Sequence, residues 1–157
     1  MDPYGFGMIG RLGGVEEEST PKDERSYKVQ HTDNIRLRDL LGCCVDFVEL
    51  DLEKRFLRFW LKDLGPNYLC GYSLEHEQDC CEDVYIADID GNEDFSGTIT
   101  IAEERVVEND KLGYQRATFY YFETADGKTM DIRWYGDSNG YYSVAVDFFE
   151  ILKVSKD

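Results

Sequence analysis

The stretch from Gln115 to Phe149 restricts the fold more than any other part of the chain. Arg116 to Thr124 and Lys128 to Tyr135 are dense in aromatic and β-branched residues. Between them Ala125-Asp126-Gly127 supplies the positive-φ position that a tight hairpin needs. A second turn signal, Asp137-Ser138-Asn139-Gly140, leads into Tyr141 to Phe148. The pattern predicts a three-stranded β-meander, and a turn of this kind states a fold without stating a reaction.

The same period of two appears upstream. Val45, Phe47, Glu49 and Asp51 alternate with Asp46, Val48 and Leu50, while Leu57, Phe59 and Leu61 alternate with Arg58, Trp60 and Lys62. A connection at Asp51 to Lys54 makes these a first hairpin, and Tyr68 to Ser73 follows Gly65-Pro66-Asn67 as a third strand. Thr98 to Val107 resumes strand character before the turn at Glu108 to Gly113. Asn34 is placed to cap a short helix through Ile35, Leu37, Leu40 and Leu41, stopped by Gly42, and Asp90 to Phe95 can hold a single helical turn. The expected fold is mainly β, in the α+β sense. It is a strongly bent antiparallel sheet or barrel-like meander of about eight strands with one or two short helices, since helices are too few to cover parallel crossovers.

Residues 1–33 hold Pro3, Pro21, five glycines and the run Glu16-Glu17-Glu18, which predicts a flexible acidic leader ahead of a single β-rich domain over 34–157. With 157 residues, 42% of them hydrophobic and 14% aromatic, one domain can bury a substantial core. The N-terminus lacks a signal-peptide pattern, and no apolar run approaches the roughly 20 residues that span a bilayer, so a cytoplasmic protein is expected. Cys43, Cys44, Cys70, Cys80 and Cys81 form an odd set with two adjacent pairs, which is not a secreted disulfide framework.

Charge bears most directly on function. Against 17 basic residues stand 33 acidic ones, a formal net charge of -16, which repels nucleic acid and anionic membranes. The leader carries seven of the acidic residues and four basic ones, so most of the surplus lies in 34–157. Glu75 to Gly97 contains no lysine or arginine while carrying Glu75, Glu77, Asp79, Glu82, Asp83, Asp88, Asp90, Glu93 and Asp94. Carboxylates at i and i+2 on a strand share a face about 6.6 to 6.8 Å apart, close to the phosphate spacing of a nucleic-acid strand. Glu75, Glu77 and Asp79 have that spacing, as do Asp88 and Asp90 and the triplet Glu49, Asp51 and Glu53. A basic surface built to hold nucleic acid is the partner such a field attracts. Tyr141 and Tyr142 face opposite ways in a strand, which leaves one of them as an exposed interface anchor.

The landmarks Asp79-Cys80-Cys81 and Ser138-Asn139-Gly140-Tyr141-Tyr142 carry a resemblance, together with a Gly42-stopped helix before them and the Asp126-Gly127 hairpin between. Over roughly residues 35–150 the chain resembles an uncharacterised family of small proteins of tailed bacteriophages and prophages, catalogued as a domain of unknown function. The resemblance implies a phage context and a mostly β fold, and it brings no catalytic residues.

Chemistry-bearing motifs are sparse. Asp88-Ile89-Asp90-Gly91-Asn92-Glu93-Asp94 opens like a calcium loop, but Glu93 stands where the sharp turn wants glycine, and Ile99 where a bidentate carboxylate is needed. Asp88, Asp90, Asn92 and Asp94 are therefore weak metal candidates. Cys43-Cys44 and Cys80-Cys81 are badly spaced for zinc, because neighbouring side chains in a strand diverge. His31 and His76 are the only histidines; His76, between Glu75 and Glu77, is placed to titrate near neutrality or to bind a metal. There is no nucleophile elbow, phosphate-binding loop or His-Glu-x-x-His. The expectation is a non-enzymatic, cofactor-free acidic protein, phage-encoded, that occludes a host nucleic-acid-handling or defence protein. Its contact residues would be Glu75, Glu77, Asp79, Glu82, Asp83, Asp88, Asp90, Tyr141 and Tyr142. A calcium-binding module and a phage structural or assembly component are the alternatives.

Overall fold

The computed structural model describes residues 27–62, 69–77, 82–109, 114–138 and 143–155, with the backbone alone at Tyr27, Leu69, Tyr114 and Ser155. The described residues form nine strands: β1 (Tyr27–Asn34), β2 (Cys44–Leu50), β3 (Phe56–Leu61), β4 (Leu69–Glu75), β5 (Glu82–Asp90), β6 (Gly97–Asn109), β7 (Tyr114–Thr124), β8 (Thr129–Ser138) and β9 (Asp147–Ser155). They form one open antiparallel sheet in the order β1-β9-β4-β3-β2-β6-β7-β8-β5. The chain divides into two compact units, His31–Leu152 and a smaller one made of Met1–Gln30 with Lys153–Asp157. Of the smaller unit, the described residues are the outer ends of β1 and β9. Every other element belongs to the larger unit.

The expected helices are not formed. Leu37–Leu40 is a single 3-10 turn, with the Asp39 carboxylate accepting the Arg36 backbone N–H. Gly42, at φ 87°, ends it as its sequence position suggests. Asp90 to Phe95 is a turn rather than a helix. The Thr124 to Lys128 hairpin is as expected: Gly127 takes φ 91°, and the Thr124 hydroxyl donates to the Asp126 carboxylate at 2.6 Å, holding that carboxyl below its ordinary range. The expected third strand of the meander is not found where it was placed, because the neighbours of β8 are β7 and β5, and the consecutive run is β6-β7-β8 instead. Residues 143–146 are not strand, and β9 begins only at Asp147, beside β1 and β4.

Between β2 and β6 the pairing lasts for just two residue pairs, Cys44 with Thr98 and Val45 with Gly97. Beyond this pinch the sheet parts into two blades, β3 and β4 with β2 on one side and β7, β8 and β5 with β6 on the other. Their inner faces share one core. Phe59 of β3 meets Phe122 of β7 edge to face at 5.0 Å and Phe95 at 6.0 Å. Leu57, Leu74, Ile86, Ile132, Met130 and Trp134 complete the cluster from both sides. The free edge of β5 returns to the β2–β3 turn, where the Ile86 N–H donates to the Lys54 carbonyl at 2.8 Å and the Arg55 guanidinium donates to the Val84 carbonyl at 2.7 Å. Burial of this much aromatic and aliphatic surface supplies the main stabilisation, on the order of 25 cal/mol per Å² of apolar area.

Two contacts hold the segment before β9 against the sheet. A Cβ on Gly136 would stand 2.6 Å from the Val144 Cβ, so the missing side chain is what lets Val144 pack there. Nearby, His76 Nε2 lies 2.9 Å from the Glu82 carboxylate and His76 Nδ1 2.7 Å from the Ala145 carbonyl. The His76 and Glu82 side chains are 5% and 1% exposed, so the pair is a buried clasp joining the ends of β4 and β5 to residue 145.

Both contacts can be checked by urea unfolding. Gly136→Ala should destabilise by about 1 to 3 kcal/mol through overpacking, and an unchanged midpoint would contradict the close approach. Glu82→Ala should cost about 3 to 5 kcal/mol, with the Glu82→Ala, His76→Ala double variant losing less than the two single losses added together. Strict additivity would mean the clasp is not a coupled pair.

Candidate binding surface

The expected acidic array does not survive folding as a single row. Glu75 accepts hydrogen bonds from the Ser73 hydroxyl at 2.6 Å and from His31 at 2.9 Å, on the face of the β4 blade turned away from the core. Glu82 is turned inward to His76, which removes it from any contact surface. Asp83 is bound by Arg55 at 2.8 Å. Glu77 is exposed just after β4. Asp79, Cys80, Cys81, Tyr141 and Tyr142 lie outside the described residues. Much of the predicted charge is thus matched by the chain's own donors.

Asp88 and Asp90 have a different fate. Both belong to β5, a nine-residue strand at the edge of the sheet that sequence alternation does not predict. A bulge at Ala87 shifts its alternation by one residue: Val84 and Ile86 face the core before it and Ile89 after it. Asp88 and Asp90 consequently point to the outer face, opposite Arg133 and Asp131 of β8. Across β7 and β6 the same two rows continue. One reads Asp88, Arg133, Phe119, Arg105; its neighbour reads Asp90, Asp131, Tyr121, Glu103.

These rows line a shallow concavity of about 770 Å³ on the outside of the β5-β8-β7-β6 blade. Its floor holds Phe119 and Tyr121, both half-buried. The Arg105 guanidinium sits 4.3 Å from the Phe119 ring centroid. Tyr85 and Tyr135, paired across β5 and β8 with ring centroids 5.8 Å apart, extend the aromatic surface to one side. Local electrostatics are negative. The Tyr121 phenol is pushed above its ordinary pKa chiefly by its 2.8 Å hydrogen bond to Glu123, and further by partial desolvation and the charges of Glu123, Asp131 and Glu103. Tyr135 is raised by desolvation, then by Asp137 and Tyr85.

The weak metal candidates do not converge: Asp88 and Asp90 lie along the outer face of β5, and Asn92 and Asp94 come next in the turn beyond Gly91. Among the described residues, no three His, Cys, Asp or Glu side chains are grouped as metal ligands. Cys43, Cys44 and Cys70 are half-buried free thiols, with Cys70 held above the usual thiol range by burial and by Glu150.

Sequence reading missed Asp131, Glu103, Arg105 and Arg133 as neighbours of Asp88 and Asp90. The signal was present in part: Asp131, Arg133 and Tyr135 alternate with Met130, Ile132 and Trp134, which assigns them to the outer face of β8. The identity of the next strand over, β5, was hidden by its bulge.

No described helix is long and apolar enough to cross a membrane. Neither a curated protein nor a solved structure matches the chain. A family match covers residues 69–148, which runs from β4 through the outer-face strands to the start of β9 and leaves out β1 to β3. The chain therefore belongs to the family described as a domain of unknown function, DUF7448.

Proposed function

We propose that this is a non-enzymatic acidic binding protein that covers a basic, nucleic-acid-binding surface of another protein with the outer face of its β5-β8-β7-β6 blade. The observation that carries the reading is the row Asp90, Asp131, Tyr121, Glu103. Like charges directly opposite one another across strands are unfavourable, and Asp90 of β5 faces Asp131 of β8 in this way, whereas Asp83, opposite Asp137, is met by Arg55 within the chain. A cationic partner relieves that repulsion. Phe119, Tyr121, Tyr85 and Tyr135 then offer aromatic area to its arginine or lysine stems.

Steering by the net charge of -16 precedes contact, and occlusion of the partner's own nucleic-acid site is the outcome. In the bacteriophage setting that the sequence resemblance implies, the partner is a host nucleic-acid-handling or defence protein met in the host cytoplasm. A binding role also fits the state of the His76–Glu82 pair, which is turned inward as a buried clasp between strands.

The test uses Asp90→Asn with Asp131→Asn. Removing the cross-strand repulsion should raise the melting temperature by about one to two degrees. In a pull-down from bacterial lysate, the same variant should lose the partners that the unaltered protein holds at low salt and releases at high salt. Retention of those partners by the variant would exclude this face.

A further inference from the structure

The pinch between β2 and β6 leaves an unusual edge. β6 runs to Asn109, paired along its length with β7, yet its other side has no strand neighbour among the described residues beyond Thr98. Glu103 to Val107 are all exposed, including Val106 at 41% and Val107 at 49%. In an antiparallel strand half of the backbone N–H and C=O groups face away from the existing partner, so this stretch presents a row of backbone donors and acceptors to solvent. The row borders the concavity directly, because Glu103 and Arg105 belong to both.

We infer that the Glu103–Val107 edge of β6 receives an extended basic segment of a partner protein, which adds as a further strand and continues the outer face. This deepens, and rests on, the reading of that face as a surface for cationic partners. Charge complementarity selects the occupant. A strand laid beside β6 meets Glu103 on the outer side, where the Arg105 guanidinium is drawn aside over the Phe119 ring, and Glu104 on the inner, the latter carboxylate also accepting the Tyr120 hydroxyl at 2.8 Å. It then meets the exposed Val107 and Val106. Lysine or arginine opposite the glutamates, with apolar residues opposite the valines, satisfies both faces. Those glutamates also turn away acidic segments, and with the overall charge they oppose pairing with a second copy of the chain.

The full chain can be tested with a short end-blocked peptide in which pairs of adjacent lysines follow pairs of adjacent valines, so that each face carries both, and with the same peptide N-methylated at alternate residues along one edge. N-methylation leaves charge unchanged and removes the hydrogen bonds of an added strand. At low salt the unmethylated peptide should slow amide exchange over Glu103–Val107 about tenfold, and methylation should weaken its binding by about tenfold. Glu103→Gln should weaken it several-fold. Equal binding of both peptides without protection on β6 would overturn the edge inference while leaving the charged face as the binder. Binding of neither would overturn both. Protection of this edge in the free protein, or its appearance only on self-association, would overturn the inference as well.

Discussion

The contact of Phe59 with Phe122 is the interaction on which the molecule depends, because it joins two halves of a sheet that share only two residue pairs of backbone pairing. A nine-stranded sheet left flat would expose one whole apolar face. Here β3 and β7 each turn that face toward the other, Phe95 packs against Phe59 beside them, and the returning edge of β5 is fastened to the β2–β3 turn by Arg55. Hydrophobic burial therefore fixes the blade geometry, and backbone pairing yields to it at the pinch.

The outer surface is a consequence of that folding. Once Val84, Ile86, Ile89, Tyr120, Phe122, Met130, Ile132 and Trp134 are committed to the core, the intervening residues of β5, β7 and β8 have no choice but to face out. The acidic surplus then separates into two classes. Glu75, Glu82, Glu104 and Glu108 find donors within the chain, in Ser73 and His31, His76, Tyr120 and Arg116 respectively. Asp90 and Asp131 find each other. This like-charged pair beside an aromatic floor is the reason the proposed binding role is assigned to this patch rather than to the acidic residues elsewhere on the fold.

How far the sequence reveals this depends on how local each determinant is. Strands β3, β7 and β8 and the Gly127 hairpin are written in unbroken alternation and turn chemistry, and they form as read. Strand β2 forms too, but a bulge at Asp46 overturns its expected alternation, putting Val45 on the core side with Val48 and Leu50 and leaving Phe47 exposed. The β5 strand was not legible, because its bulge puts Ile86 and Ile89 three apart on the same inner face. Its pairing with β8 is a long-range choice that no turn signal encodes. For the candidate surface, Asp88 and Asp90 were identifiable by type and spacing. Their company on the outer face, Asp131 and Glu103, depends on strand order, and so does the burial of Glu82, whose partner His76 sits across a stretch that sequence alone does not close.

A titration of isotope-labelled protein with poly-lysine, monitored by amide and aromatic chemical-shift changes at low salt, is the most direct measurement of where a cationic chain binds. The largest changes should cluster at Asp88, Asp90, Glu103, Tyr121 and Asp131, on the outside of the β5-β8-β7-β6 blade. Changes spread evenly over the acidic residues, or centred on Glu75 and Glu77, would contradict the assignment of function to this face.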